Sequence, residues 1–157
     1  NIKHEQHTDF LGITISHNLS WDKHISKLNK KLSHGLYALA RTKHYFPKHH
    51  KRLIYHALFE SHLTYCIAIW GHTLKKHLNS LLSQQKKAIR YIVNAPYNAH
   101  TNPLFQSNNI LKVPELIQYH LLKFMHKIII KTAPNSITRI FPPRNRTATM
   151  TSRQIDL

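Results

Sequence analysis

The sequence is poor in acidic residues, cysteine and glycine. Its 157 residues include only 6 Asp and Glu, one Cys and 3 Gly. The single cysteine, Cys66, excludes an intrachain disulfide and a zinc site built from cysteines, and it favours a reducing compartment. Scarce glycine argues against a turn-rich all-β sandwich and favours helices.

Long hydrophobic runs are missing as well. The longest purely apolar stretches, such as residues 67–70 and 128–130, are far too short to span a bilayer. The chain begins without Met and without a signal-peptide pattern. We therefore expect a piece of a longer intracellular protein.

Positive charge, by contrast, is in large excess. The 23 Lys and Arg give a formal net charge of +17 with histidine neutral, and the chain also has 15 His. A surplus of this kind is typical of proteins that contact a polyanion, most often nucleic acid and less often an anionic membrane.

Apolar periodicity predicts a mainly α fold that starts with a short β-hairpin. Residues 9–16 alternate with period two and predict a strand, whose antiparallel partner would be residues 2–6. A lone two-stranded hairpin is marginal in water, so this one needs a surface to pack on.

A bundle of about five helices is predicted to follow. The first has Ser20 as its N-cap and ends near Tyr45. Its apolar residues recur at spacings of three and four, which is typical of an amphipathic helix: Trp21, Ile25, Leu28, Leu32, Leu36 and Leu39. The other helices are predicted over residues 47–71, 73–94, 102–107 and from 114 to about 131.

The apolar residues of the second predicted helix are expected to face inward: Leu53, Ile54, Ala57, Leu58 and Leu63. Beyond residue 131 the sequence has Pro, Thr, Ser and Arg but no periodicity. We therefore predict three segments, which are a hairpin over residues 1–19, a helical domain over 20–131, and a disordered basic tail or linker over 132–157.

Basic residues form a stripe on each of the two long helices. At about 100° per residue, the first helix places its cations opposite its apolar row: Lys23, Lys27, Lys30, His34 and Arg41. The helix over residues 73–94 likewise places Lys76, Lys87 and Arg90 away from its leucines. Few acidic residues interrupt either stripe, so repulsion along it is uncompensated. A bound polyanion would relieve that repulsion, and an ordinary solvated face is the alternative.

Neither a metal site nor a catalytic set is predicted. The histidines lack the His-x-x-x-His plus carboxylate spacing of a zinc helix. Two-metal polymerase or nuclease chemistry needs several carboxylates that converge on Mg²⁺. Here they are dispersed along the sequence: Glu5, Asp9, Asp22, Glu60, Glu115 and Asp156.

Four segments nevertheless occur in a characteristic order. They are Phe10-Leu-Gly-Ile-Thr-Ile, Leu19-Ser-Trp-Asp-Lys-His-Ile, His62-Leu-Thr-Tyr-Cys-Ile-Ala-Ile-Trp-Gly and Gln84-Gln-Lys-Lys-Ala-Ile-Arg. Their order resembles the region after the palm in reverse transcriptases of non-LTR (LINE-type) retrotransposons, of the jockey and CR1 kinds. The resemblance covers residues 9 to about 130.

The resemblance implies a fragment of an RNA-directed DNA polymerase that grips the RNA or DNA template–primer. Phe10, Leu11 and Gly12 would correspond to the primer-grip hairpin, and the helices from Trp21 onward to the thumb. The residues that would contact nucleic acid are Phe10, Leu11, Gly12, Lys23, Lys27, Lys30, Arg41, Lys76, Lys87 and Arg90.

The same resemblance implies that the chemistry resides elsewhere in the parent polyprotein. The Tyr-x-Asp-Asp motif of the palm and the fingers would lie upstream and would be partners of this chain. The parent enzyme would use Mg²⁺, whereas this chain would hold no cofactor and no catalytic residue. We expect a nuclear or cytoplasmic ribonucleoprotein without a membrane anchor.

Other functions are open on the sequence alone. The chain could be a stand-alone, domesticated helical module that binds nucleic acid or partner proteins. A basic membrane-surface module is a weaker alternative, because Trp21 and Trp70 lie in the predicted apolar rows. Gly12 could permit close approach of the backbone to a primer end, or it could mark a bulge in an edge strand.

Overall fold

The computed structural model describes residues 6–141, which form a two-stranded hairpin followed by helices. The strands are β1 (His7–Phe10) and β2 (Ile13–Ser16). The helices are α1 (Asp22–Thr42), α2 (Lys48–Tyr55), α3 (Ser61–Thr64), α4 (Ile67–Trp70), α5 (Lys75–Val93), α6 (Asn102–Ser107), α7 (Val113–Ile129) and α8 (Asn135–Ile140), with a π-helical turn, His56–Glu60, between α2 and α3. The predicted mainly α fold with an N-terminal hairpin is confirmed.

The turn of the hairpin lies inside residues 9–16, which the sequence predicts as one strand. β1 and β2 pair antiparallel with Phe10 opposite Ile13, so the chain turns at Leu11 and Gly12. Both turn residues have positive φ, 46° and 78°, as a two-residue type I′ turn requires. The prediction of a continuous strand over residues 9–16 is therefore wrong. The sequence pattern does not show the turn, because no polar residue interrupts the apolar alternation there. Of the predicted partner strand, residues 1–5 lie outside the described part of the chain.

Helix α1 provides the surface on which the hairpin packs. Ile13, Thr14 and Ser16 of β2 are buried. The backbone N–H of Thr14 donates a hydrogen bond to Nδ1 of His24, which lies in the first turn of α1, over 3.4 Å. The hairpin therefore finds within this chain the packing partner that a marginal two-stranded sheet needs.

The apolar row predicted for α1 is confirmed. Four of its six members are buried in the core and the other two pack against it partly buried. The predicted N-cap is wrong by one residue, since Trp21 occupies the N-cap position and makes no side-chain cap. Asn18 Oδ1 accepts the Ser20 N–H at 3.1 Å, which holds Ser20 in the turn before the helix.

The predicted helix over residues 47–71 is divided into three pieces. The π-helical turn follows α2, and Cys66 adopts a left-handed conformation with φ of 50° between α3 and α4. The inward side is therefore shifted, and it consists of Lys51, Tyr55, Phe59, Leu63, Ile67 and Trp70. Leu53 and Leu58 are exposed, so the prediction that they face inward is wrong. Leu53 faces outward because it lies about 160° around α2 from the buried Lys51, and the extra residue in the π turn rotates only the side chains that follow it.

Gln85, buried in the middle of α5, joins three parts of the helical core. Its Nε2 donates to Tyr55 Oη at 3.0 Å and to the carbonyl of Leu111 at 2.8 Å. Its Oε1 accepts the N–H of Val113, the first residue of α7, at 2.9 Å. Burial raises the pKa of the Tyr55 hydroxyl, although the hydrogen bond from Gln85 opposes this. Tyr55 is therefore neutral and serves as an acceptor.

The chain divides into two compact units, Asn1–Leu121 and Leu122–Leu157. The first unit contains the hairpin and the core. In the second, residues 135–140 form α8, a short helix inside the segment predicted as a tail or linker. Residues 142–157 of that predicted tail lie outside the described residues.

Candidate nucleic-acid interface

Helices α1 and α5 lie side by side and run parallel. At their starts, Lys76 Nζ lies 3.5 Å and His77 Nε2 lies 2.8 Å from Oδ1 of Asp22. Seven residues further along each helix, Gln84 Nε2 donates to Oδ1 of Asn29 at 2.8 Å. Because both contacts keep the same offset along the two helices, their polar residues meet in one continuous seam.

The ends of the two helices are also held together. The buried Lys51 of α2 donates from Nζ to the carbonyl of Lys43 at 3.2 Å and to Oδ1 of Asn94 at 2.8 Å. These acceptors follow the last residues of α1 and α5, where helix dipoles attract a cation. Burial lowers the pKa of Lys51, and the charge of Lys43 lowers it further. Lys51 thus fixes the parallel alignment at the C-terminal ends.

Five exposed cations lie on the outer side of this helix pair, and we call this surface the α1–α5 basic face. On α1, successive members are seven and eleven residues apart, and on α5 they are eleven apart, which returns each to the same side of its helix. The members are Lys23, Lys30, Arg41, Lys76 and Lys87. Lys30 and Lys87 flank the Asn29–Gln84 contact, so the two predicted stripes join across the seam.

One carboxylate, that of Asp22, borders the basic face. Partial desolvation raises the pKa of this carboxyl, but the charge of Lys76, a hydrogen bond from Ser20 and the charge of His77 together hold it below its usual value. Lys23, Lys30, Arg41 and Lys87 have no acidic partner within residues 6–141. The net charge of the face is therefore strongly positive.

Lys27 lies outside the basic face, toward the hairpin. Its Nζ is 2.8 Å from both carboxylate oxygens of Asp9 on β1. The hydrogen bond from Lys27, and after it one from the Thr14 hydroxyl, lowers the pKa of the Asp9 carboxyl. This cation is thus paired within the chain, and its predicted contact with nucleic acid stays a prediction.

Arg90 is engaged by the loop after α5. Its Nε and Nη2 donate to the carbonyl of Ala99 at 3.1 and 3.0 Å, and its guanidinium lies 5.7 Å from the centre of the Tyr97 ring. These contacts give Arg90 a structural role in holding the loop. Its predicted contact with a phosphate stays a prediction.

The tip of the hairpin presents Phe10 and Leu11 to solvent, with 62% and 74% of their surfaces exposed. Tyr65 Oη donates to the carbonyl of Leu11 at 2.7 Å. A Cβ on Gly12 would lie 3.6 Å from Tyr65 Cε1, an ordinary contact. The positive φ of Gly12 in the turn therefore favours glycine, and the alternative of a bulge in an edge strand is wrong, because Phe10 pairs directly with Ile13.

Sequence reasoning missed the residues that arrange this surface, namely Asn29, Gln84, Lys51 and Tyr65. Tyr65 and Gln84 lie in segments that carry the resemblance, but the sequence gave them no role of their own, and each of the four acts through a partner that lies eight or more residues away. Lys51, in a run of polar residues at the start of α2, gave no sign of burial. The one available signal was the placement of Asn29 and Gln84 between the apolar and basic sides of their helices.

Residues 6–141 contain no group of three or more His, Cys, Asp or Glu side chains arranged to hold a metal ion. His49 and His50 lie together, with ring centres 3.8 Å apart, and lack a third ligand. Within the same range, no helix is both long and apolar enough to cross a bilayer.

Comparison with known proteins finds relatives but no family model that matches the chain. No solved structure matches it either. The chain is 26% identical over 147 residues to the RNA-directed DNA polymerase from mobile element jockey of Drosophila melanogaster, and 24% identical over 143 residues to that of Drosophila funebris. Each match covers 88% of this chain.

A third relative is the probable RNA-directed DNA polymerase from transposon BS of Drosophila melanogaster, 25% identical over 122 residues and 76% of this chain. The chain spans only about 15% of the length of these curated relatives. Along most of its length it is thus similar to one segment of the polymerases of jockey-type, non-LTR elements, which confirms the resemblance found in its sequence.

Proposed function

We propose that this chain is the part of a non-LTR retrotransposon reverse transcriptase that holds the template–primer duplex. The observation that carries the proposal is the α1–α5 basic face, in which two parallel helices present five exposed cations on one side. The chain is similar to RNA-directed DNA polymerases of mobile elements. The nucleic acid on which such a polymerase acts is a polyanion, and its charge would match the positive face.

The dimensions of the face suit a duplex. From Lys23 to Arg41, α1 extends about 27 Å, which corresponds to about eight base pairs at 3.4 Å each. Phosphate contacts position a duplex without reading its bases. A polymerase that copies any template needs this kind of contact.

The hairpin tip has a second role in the proposal. Phe10 and Leu11 are exposed and apolar, so they offer contact to a sugar or a base at the end of a primer strand. The hydrogen bond from Tyr65 to Leu11 fixes the direction in which this tip projects.

The chemical step belongs, in this proposal, to the remainder of the parent protein. The relatives are several times longer than this chain, and their other regions would supply the fingers, the palm and the Mg²⁺-binding carboxylates. The fingers and palm would thus be the protein partners of this chain.

Binding of a labelled RNA–DNA hybrid, followed by fluorescence anisotropy, tests the proposal. Two hybrids of equal length and unrelated sequence should bind with similar affinity. The double variant Lys30→Gln, Lys87→Gln should weaken binding by about tenfold or more, because two counterion-releasing contacts are lost. The control Lys48→Gln, Arg52→Gln, on α2, removes the same charge outside the face and should change affinity little.

Equal losses in the two double variants would contradict the proposal. They would show that only the total charge of the chain matters, and that the basic face is an ordinary solvated surface. A failure of the wild-type chain to bind either hybrid would favour the alternative of a protein-binding module.

A further inference from the structure

A cleft of about 220 Å³ lies between the hairpin and helices α1 and α3. It lies on the side of α1 that faces away from α5. Lys31 lines the cleft, and it projects about 160° from Asn29, which contacts α5. The polar side chains of the cleft come from β1, β2, α1, α3 and the residue after α3, and they are Asp9, Thr14, His24, Lys27, Lys31, His62 and Tyr65.

The only carboxylate in the cleft is already neutralised. Both oxygens of Asp9 are within 2.8 Å of Lys27 Nζ, and the Thr14 hydroxyl donates to Oδ1 as well. Lys31, on the next turn of α1, has no acidic partner anywhere in residues 6–141. The cleft therefore keeps one uncompensated positive charge.

The remaining groups are hydrogen-bond donors. Because His24 Nδ1 accepts the N–H of Thr14, a neutral His24 ring carries its proton on Nε2. Burial lowers the pKa of His24, and the charges of Lys31 and Lys27 lower it further, with a small opposing effect from Asp9. The ring thus experiences a positive potential, which an anion in the cleft would cancel.

We propose that this cleft binds a single phosphate group, with Lys31 as its charged ligand and the His24 and His62 rings as neighbouring donors. The volume is below the roughly 300–1,000 Å³ of clefts that enclose a whole small-molecule ligand. It therefore suits a phosphate and its waters rather than a complete nucleotide. None of these residues belongs to the α1–α5 basic face, so the site does not depend on duplex binding there.

NMR titration of the His24 ring with inorganic phosphate tests the site in the intact chain. Phosphate replaces chloride at constant ionic strength, and the His24 signal is identified by its loss in His24→Gln. The wild-type signal should shift and saturate, and the pKa of His24 should rise on binding. Lys31→Gln should weaken phosphate binding by about tenfold, whereas Lys48→Gln, at an exposed lysine of α2 that lines neither the cleft nor the basic face, should leave it unchanged.

A His24 signal that does not respond to phosphate, or that responds equally in Lys31→Gln and Lys48→Gln, would overturn the proposal. Two short oligonucleotides, one with and one without a 5′-phosphate, then identify the source of the group. Stronger competition by the phosphorylated strand assigns the cleft to a phosphate monoester, and equal competition assigns it to a phosphodiester. Failure of this test leaves duplex binding by the α1–α5 basic face intact.

Discussion

His24 is the titratable residue that joins the hairpin to α1. Its ring is buried, with centres 6.0 Å from Trp21 and 5.9 Å from Trp70. Burial, then Lys31 and Lys27, lowers its pKa, while Asp9 on β1 opposes the shift. Protonation would add a charge beside two lysines and would abolish the acceptor that Nδ1 offers to Thr14.

Stability should therefore fall as the pH is lowered through about 6.5, the ordinary histidine value. Between that pH and the lower pKa of the folded state, the unfolded chain binds a proton at His24 that the folded chain does not, so the free energy of unfolding decreases by up to about 1.4 kcal/mol per pH unit in this window. The effect is absent at pH values well above 6.5. Urea unfolding at several pH values measures it, and His24→Gln should flatten this dependence.

The matched control is His44→Gln, at an exposed position that has no partner in the described part of the chain. It should keep the wild-type pH dependence. The account of His24 is refuted if His24→Gln and the wild type lose stability in parallel below pH 6.5.

At the scale of single residues, periodicity predicted exposure but not partners. The solvent-facing positions of Lys23, Lys30 and Arg41 follow from helical spacing alone. The Asp9 partner of Lys27 lies eighteen residues away, and the carbonyl bound by Arg90 belongs to a loop. Such contacts depend on how elements pack, which local sequence does not show.

At the scale of secondary structure, the inward side set by Lys51 and Tyr55 of α2, together with the π-helical turn that follows, decides which leucines are buried between residues 48 and 70. Leu53, before the turn, is 61% exposed, whereas Leu63, after it, is fully buried. A regular helix from the sequence pattern places both inward, because one extra residue in a turn leaves no signal in composition. The sequence pattern does not predict the hairpin turn at Leu11 and Gly12 either, because these two residues do not interrupt the apolar alternation.

This matched pair of leucines gives a direct test of the packing. Leu63→Ala should lower the free energy of unfolding by about 2–5 kcal/mol, because it leaves a cavity in the core. Leu53→Ala should cost less than about 0.5 kcal/mol, as is usual at the surface. Chemical denaturation measures both, and similar losses in the two variants would contradict a packing in which Leu63 is buried and Leu53 is exposed.

Tyr65 connects the break between α3 and α4 to the hairpin tip. The backbone carbonyl of Tyr65 accepts a hydrogen bond from Trp70 Nε1–H at 2.8 Å, and the Tyr65 hydroxyl donates to the carbonyl of Leu11. Trp70 is fully buried, so its hydrogen bond holds the backbone of Tyr65 in place. The left-handed conformation of Cys66 produces the break that lets the side chain reach the hairpin.

Tyr65→Phe should therefore loosen the tip without unfolding the chain. The ring and its contact with Gly12 remain, and only the hydrogen bond is lost, at a cost of about 1 kcal/mol. Hydrogen exchange of the amides at residues 10–13 should accelerate. Tyr45→Phe, at an exposed tyrosine, is the control and should not change it. Unchanged exchange at the tip in Tyr65→Phe would mean that the turn holds its own conformation.

At the scale of the whole chain, the formal charge of +17 is concentrated by the pairing of two helices. The sequence predicted each basic stripe separately, from the apolar periodicity of its own helix. It could not predict that α1 and α5 run parallel, since this rests on contacts between residues more than forty positions apart, such as Asn29 with Gln84 and Lys51 with Asn94. The joint face is a property of the fold.

The salt dependence of duplex binding tests the central claim, that this face grips nucleic acid. If all five cations of the face neutralise phosphates, the plot of log affinity against log salt should have a slope of about −4.5. The triple variant Lys23→Gln, Lys30→Gln, Arg41→Gln should flatten it by about 2.7 units. The control Lys48→Gln, Arg52→Gln, Lys127→Gln, with equal charge loss, should keep the wild-type slope. A wild-type slope in the first triple variant, or equal flattening in both, would contradict the account.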